Sequence, residues 1–481
     1  LAVEERSLAE TLAVAGSPVP VAAAVRVADM DVGSIMSALW SLRRADFVRV
    51  NATQGSPTIT LRHDRLRESL NESLPPTRKR ELHRRLGQAL SEQGDGYLFD
   101  TVRHLNRAGE TLPPAWRVQA TELALRAGRR ARRGTAFPLA FDCFEAALRH
   151  LGDEAWTEHY EQALAASEGA AEAAYLSSRW DAVTRHAAAI KAHARSPVEQ
   201  LVAWEAEIDA YIANTDYLRA IETGIAAIEQ LGASLPLEPS QEEIEAEFTA
   251  AMNTLGELGV EGVAGLPDAD DPVHMASMRV HARITSAAYF GRPNLFPVIA
   301  CRMVVASVHH GLVPATPYAL SILGIVLNTV GMHHEAHAWG QAALALTERF
   351  DDRSLDARTA HVVQDLVCVW VVPFQDTLDA MKEVYELGKT LGDVEYAGYA
   401  AHAYIHNAIY AGRPLDALLE EAESITEWMR GHDEFSALPI HEPFEQLLRA
   451  LTGHTADPAC LDGHGFSESE SLAAAEASGS R

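Results

Sequence analysis

The sequence predicts an all-α protein: a tetratricopeptide-like α-α superhelix with a period of about 40 residues, preceded by a small winged-helix module with a short β-hairpin. Three observations carry that expectation. The apolar share is high, 47%, and the aromatic share low, 7%, so Ala and Leu supply most of it; both favour helical backbone and let helices approach closely. Strand-like alternation occurs at one place, the stretch "FVRVNATQGSPTITLRH". Small residues then recur at a regular long spacing through the rest of the chain.

Taken in order, "SLAETLAVAG" reads as one short helix, "PVAAAVRVADM" as a second after Pro18 and Pro20, and "DVGSIMSALWSLRRADF" as a third. Asp31 caps that third helix, and Ile35, Leu39 and Leu42 share one of its faces. Two short strands around a Gly-containing turn follow, and three helices followed by a hairpin is the winged-helix order. The next stretch, "HDRLRESLNESLPPTRKRELHRRLGQALSEQ", is a helix, a break at Pro75-Pro76 and a basic helix, because proline disfavours helix in the residue before it and cannot continue one.

From residue 115 onward the pattern is helical and repeats. Gly324, Leu327, Gly331, Ala336, Gly340 and Ala343 occupy the small and large packing offsets of a tetratricopeptide helix pair. The same register recurs with Gly128, Ala131, Ala140, Phe144 and Ala147, with Ala182 and Ala189, with Tyr211, Ala220, Gly224 and Ala227, and with Ala408, Gly412 and Ala417. Pro297 and Leu378 are the poorest matches. One interval is doubled, and "GVEGVAGLPDADDPVHM" inside it reads as a loop. Isolated pairs cannot bury their apolar faces, so stacking is required, and stacking creates a groove.

Charge divides the chain. The net charge is −27, yet residues 60–133 carry 16 Lys/Arg against 9 Asp/Glu, a local +7, and residues 134–481 carry 19 against 52, or −33. The acidic body repels nucleic acid and anionic lipid. Four widely spaced cysteines, with no CxxC pair, fit free thiols in a cytoplasmic protein. No apolar run reaches the ~18 residues of a membrane span. The chain starts at Leu1 and stops in "SESESLAAAEASGSR", which reads as a piece of a longer polypeptide with a truncated, disordered tail.

The stretch "GMHHEAHAWGQAALAL" invites a zinc-hydrolase reading, which needs His-Glu-x-x-His. Here His333 and His337 are four apart, but Glu335 is two from either and faces elsewhere on the helix, so the water-activating geometry fails. Other histidines, including His309, His310, His402 and His406, bring no consistent third ligand. Arg43, Arg44, Arg49 and Arg62 could serve a DNA reader, yet "VGSIMSALW" is poor in base-reading side chains. The run "RAGRRARR" reads as a solvated helix face. No GxxxxGK[ST], GxGxxG after a strand, GxSxG, HRD or DFG element is present, so no catalytic, cofactor-binding or metal-binding residue is assigned.

"ITLRHDRLRESLNESLPPTRKRELHRRLGQAL" resembles the segment that follows the nucleotide-binding core in large bacterial STAND-class signalling ATPases, where a winged helix ends in a strand leading into a His-Asp-Arg helix. "AAYFGRPNLFPVIACRMVVASVHHG", "LGDVEYAGYAAHAYIHNAIYAG" and "DPACLDGHGF" are similar to stretches of one subgroup, whose members join a serine/threonine kinase, an AAA-type ATPase, this helical region, a GAF domain and often a histidine kinase. The resemblance makes His63, Asp64 and Arg65 a structural junction. It implies ATP and Mg in a domain upstream; this chain departs from the family in lacking every residue that would bind or hydrolyse nucleotide, so no enzyme activity or cofactor is assigned to it.

The organisation expected is a winged helix over 1–73, a basic helical linker over 74–114, a helix-pair solenoid over 115–460 and a tail over 461–481. The expected role is a non-catalytic regulatory region of a multidomain ATPase/kinase. Its partners would be another protein, its own flanking ATPase and kinase domains, or a small-molecule effector, with DNA disfavoured and no membrane. Two rivals remain: the sensor arm of a maltose-activator-like transcriptional regulator, and, ranked lowest, a His-ligated metal enzyme.

Overall fold

The computed structural model describes residues 1–28, 30–51, 57–431, 437–457 and 459–478. They form two compact units, Leu1–Ser177 and Ser178–Arg481, each with its own core. The division falls inside the stretch expected as a single array over 115–460.

The first unit opens with α1 (Val3–Ala15), β1 (Val19–Pro20), α2 (Val21–Ala28), α3 (Val32–Arg44), β2 (Val48–Asn51) and β3 (Thr58–Leu61). The strands form an antiparallel sheet in the order β1-β3-β2, with Val48 opposite Leu61 and Val19 opposite Ile59. This is winged-helix topology, and the tip of the expected hairpin, residues 52–56, lies outside the described residues. The Asp31 carboxylate accepts from the Ser34 N–H at 3.0 Å and starts α3, whose Ile35, Leu39 and Leu42 are buried.

After β3 come α4 (Asp64–Ser73), α5 (Pro76–Ser91), α6 (Leu98–Ala108), α7 (Pro114–Arg133), α8 (Phe137–Leu151), α9 (Ala155–Glu158) and α10 (Tyr160–Tyr175). The stretch read as a linker over 74–114 is packed: α5 puts Leu82, Leu86 and Leu90 into the same core as Leu8, Leu42 and Ile59. Apolar residues on one face of α5 drive this, and Arg78 and Arg85 add contacts to Glu10 on α1 and the Val27 carbonyl on α2. Gly128 on α7 and Gly169 on α10 both press on the Phe144 ring, where an added Cβ would come within 2.7 and 2.5 Å of it.

The second unit comprises α11 (Trp180–His193), α12 (Leu201–Ala213), α13 (Tyr217–Gln230), α14 (Gln241–Ala264), α15 (Pro272–Gly291), α16 (Leu295–His310), α17 (Thr316–Thr329), α18 (His333–Thr347), α19 (Asp356–His361), α20 (Phe374–Leu391), α21 (Val394–Tyr410), α22 (Leu415–Gly431), α23 (Leu438–Leu451) and α24 (Glu468–Ser478). Helices α12/α13, α15/α16, α17/α18 and α21/α22 are sequential antiparallel pairs. α19 continues through a π-helical turn, Val362–Val367, before α20.

One turn closes most pairs. A residue with left-handed φ (Thr135, Thr215, Gly331, Gly412) precedes an N–H that donates to the carbonyl five residues back: Ala136 to Ala131, Asp216 to Tyr211, Met332 to Leu327, Arg413 to Ala408. Those acceptors are repeat positions read from the sequence. Glycine suits the turn at Gly331 and Gly412, where φ is 81° and 73°.

Three expectations are corrected. The doubled interval is not a loop throughout: a capping box of Ser240 and Glu243 starts α14, which packs on α16 and runs to Ala264 past a break at Gly259. The few loop residues that follow are pinned, because Ala269 N–H donates to the Leu312 carbonyl and Arg349 donates to the Ala264 and Leu266 carbonyls, each at 2.8 Å. The tail expected to be disordered contains α24. Finally, Ala417 is exposed, and Leu418 and Ala422 face the core. Pro414 lengthens the turn after Gly412 by one residue, which rotates α22 by one position relative to α18.

Candidate ligand pocket

The repeat positions do structural work. Ala140, Ala147, Ala220, Ala227, Ala336 and Ala343 are fully buried, and Ala182 nearly so. Gly324 admits Val367, whose Cγ2 would sit 2.8 Å from an added Cβ. His63 precedes α4, and Asp64 in its first turn pairs with Arg67 at 3.1 Å in solvent, so the triplet lies at the strand-to-helix junction.

Two histidines of α18 hold the turn Cys368–Trp370, which follows the π-helical segment, against the α17/α18 pair. His333 Nδ1 lies 3.0 Å from Asn328 Oδ1, and its ring stacks on Trp370 at 4.8 Å. His337 Nδ1 lies 3.5 Å from Cys368 Sγ. Among the described residues no group of three His, Cys, Asp or Glu side chains is placed to hold a metal ion. All four cysteines are unpaired, and burial pushes the Cys143 and Cys301 thiols up to about 12. No helix is long and apolar enough to cross a membrane among the described residues.

On α3, the exposed side is Val32, Met36 and Trp40, four residues apart and therefore one stripe, with Arg43 and Arg44 at its end. That surface offers apolar contact and few donors for base edges. In the basic run, Arg126 pairs with Asp95 at 3.2 Å, Arg132 pairs with Glu172, and Arg130 donates to the Asp95 carbonyl at 3.0 Å.

The feature that sequence reasoning missed lies in the second unit. The first helices of successive pairs, α15, α17, α19 with its π turn, and α21, join α23 around a cavity of about 200 Å³. Its walls are aromatic: Tyr289 and Phe290 from α15, Phe296 from α16, Tyr318 from α17, and Tyr396 and Tyr399 from α21. Tyr289 meets Phe296 edge-on at 5.3 Å, and Tyr396 meets Tyr399 edge-on at 5.4 Å, so the rings brace one another.

Into this box the π turn delivers Asp365. A π turn adds a residue to the helical circuit and re-aims the side chains that follow, and such turns are frequent at functional sites. Burial pushes the Asp365 carboxyl up to about 7, opposed by the Asn407 amide, whose Nδ2 lies 3.4 Å away. His361 Nε2 lies 4.0 Å from the carboxylate. Burial holds His361 down at about 4 and His402 at about 3, so both rings are neutral at pH 7. Ser286 Oγ, His361 Nδ1 and His402 Nδ1 are buried without a hydrogen-bond partner.

A buried ion network stands behind the pocket. Arg358 on α19 donates to Asp393 at 2.8 Å, approaches Glu395 at 3.3 Å, and lies 4.6 Å over the Tyr396 ring. Burial alone would lower its value, but Asp393 and Glu395 raise it well above the ordinary guanidinium range. Arg279 and Arg283 on α15 pair with Glu205 and Asp209 on α12, at 2.6 and 3.2 Å respectively. Tyr396 passes the connection to α17 through a 2.8 Å hydrogen bond between its hydroxyl and that of Tyr318. The pocket wall is thus held by charges that cannot move without leaving a partner unpaired.

The signal for this site was present in "VEYAGYAAHAYIHNAIY", where Tyr396, Tyr399, His402 and His406 follow helical spacing, and in Asp365 standing inside an apolar run. Neither shows that the two meet.

The fold and site together define a helix-pair repeat protein with a small, aromatic, ligand-sized cavity. No protein-family model matches the sequence, and no curated protein matches it. Among solved structures, the chain is similar to a signal transduction ATPase with numerous domains (STAND) protein with a tetratricopeptide repeat sensor, from Pyrococcus horikoshii, at 12% identity and a TM-score of 0.40. That alignment covers 94% of this chain and 60% of that one, so the chain spans about three fifths of the other's length.

Proposed function

We propose that this chain is a non-catalytic sensing and regulatory region of a multidomain signalling ATPase, and that a small effector bound in the second unit biases the output of flanking ATPase and kinase domains. One observation carries the reading: a single cavity is walled by the first helices of successive pairs, so one bound molecule touches several repeats at once. A ligand placed there acts on the spacing of those helices, and it shifts an equilibrium only by binding one arrangement more tightly than another. The apolar stripe on α3 supports packing of the winged helix against a protein surface rather than against DNA.

The test uses the full-length protein. Filling the cavity with Ser286→Trp should change basal ATPase and kinase output, while Ala417→Leu, on an exposed helix face, should not. If ATPase and kinase rates stay at wild-type levels with the cavity filled and the fold intact by circular dichroism, the region is a passive spacer. The chain alone is expected to bind no ATP, because it has no P-loop sequence; micromolar affinity by isothermal titration would overturn that part.

A further inference from the structure

We propose that the cavity around Asp365 takes a small organic ammonium ion, with an aromatic or compact apolar body. This names the ligand class for the regulatory reading and rests on that reading only in using the same pocket.

Four observations lead to it. The first is charge: Asp365 is an acid with no lysine or arginine paired to it among the described residues. Arg358, one helical stretch away, is committed to Asp393 and Glu395. A carboxylate whose side chain keeps only 18% of its exposure to water is costly unless something neutralises it, and a ligand cation does so. The second is the walls. Tyr289, Phe290 and Tyr399 line the cavity with aromatic rings, and the negative face of an aromatic ring attracts an ammonium most where water is excluded.

The third is exclusion. Among the described residues no lysine or arginine lines the cavity, and its two histidines are held neutral by burial, so an anion would meet the Asp365 carboxylate with no positive charge to offset it. A neutral polar ligand such as a sugar would leave the Asp365 charge without a counter-ion. The fourth is size. About 200 Å³ is somewhat larger than the roughly 150 Å³ apolar cavity that holds one benzene ring, which leaves room for a ring and a short aminoalkyl arm. The unpartnered Ser286 Oγ and His402 Nδ1 are available to the remaining ammonium hydrogens or to a bridging water.

The groups that interact with Asp365 are His361 on its own helix, Tyr289 on α15 and Asn407 on α21, and Tyr318 on α17 and Tyr396 and His402 on α21 line the same cavity. None carries a positive charge at pH 8, where Asp365 is ionised, so that pH is the one to use.

The experiment is isothermal titration of the whole 481-residue chain with three matched probes: 2-phenylethylammonium, the neutral 2-phenylethanol and the anionic 3-phenylpropionate. The ammonium is expected to bind at least about tenfold more tightly than the alcohol, and the carboxylate not at all. Asp365→Asn should remove about tenfold of the ammonium affinity and leave the alcohol unchanged. Tyr289→Leu, at the half-exposed rim, is the second variant in case the first misfolds; it should weaken the ammonium more than the alcohol. Equal binding of alcohol and ammonium, unchanged ammonium affinity in a folded variant, or no binding of any probe at millimolar concentration overturns the assignment. If the ammonium binds and full-length ATPase output does not respond, the ligand class stands and the regulatory reading falls.

Discussion

Asp365 illustrates how a single residue sets a pH response. Its folded value is raised to about 7 from an ordinary 3.8, so between those values the folded state holds a proton that the unfolded state has released. Stability contributed by this group is therefore full below about pH 4 and is lost as pH rises to about 7. Asp365→Asn should stabilise the chain by about 1–3 kcal/mol at pH 8 and by much less at pH 4, allowing for the partial access of solvent to the carboxylate. Urea denaturation at the two pH values measures it, and equal gains at both would show that burial is not what shifts the group. Arg358→Met is expected to act oppositely, costing about 3–5 kcal/mol, because Asp393 and Glu395 would be left buried and unpaired. A loss under about 1 kcal/mol in the same denaturation series would mean that the network is dispensable.

At the scale of the helix, the register of the repeats makes predictions that differ between neighbouring residues. Ala336→Leu should cost about 1–3 kcal/mol, since the site is fully buried between helices. Leu418→Ala should cost about 2–4 kcal/mol, whereas Ala417→Leu one residue earlier should fall within about 0.5 kcal/mol of wild type. Thermal melts of the three variants check the one-residue rotation that Pro414 imposes on α22; a larger loss for Ala417→Leu than for Leu418→Ala would contradict it. Replacing His333 and His337 together with Ala should cost roughly 1–2 kcal/mol, more than an exposed pair would, because each ring bonds to a neighbouring segment. Zinc would not restore the loss.

Across the whole molecule the buried histidines dominate the acid limb. His83, His150, His281 and His361 are held down at about 4 and His402 at about 3, chiefly by burial. Each stays neutral when folded and protonates near 6.5 when unfolded, so stability is full above about pH 6.5 and falls as pH drops toward 4. Asp365, Asp209 and Asp356, all raised by burial, work against this trend over part of the same range, but among the described residues they are three groups against eight histidines that burial lowers. The melting temperature should therefore decline steadily from pH 7 to pH 4.5, read by differential scanning calorimetry; a flat profile would place these rings in contact with water. The two units, each with its own core, further predict that residues 178–481 fold when expressed alone, with helical circular dichroism and a cooperative melt.

Composition and the 40-residue recurrence of small residues were enough to determine the all-α helix-pair class, because that depends on local propensity and on which residues let helices approach. The sequence also identified the turn acceptors Ala131, Tyr211, Leu327 and Ala408 as equivalent, since a turn is built from neighbours in the chain. Tertiary structure alone decided the rest. That α5 belongs to the winged-helix core, that α14 fills the doubled interval, and that Leu418 replaces Ala417 are matters of which surfaces meet. The pocket is the clearest case: Tyr289, Tyr318, Asp365 and Tyr396 lie on four helices far apart in sequence, and their convergence depends on the stacking of pairs and on one π turn, neither of which any short stretch of residues encodes.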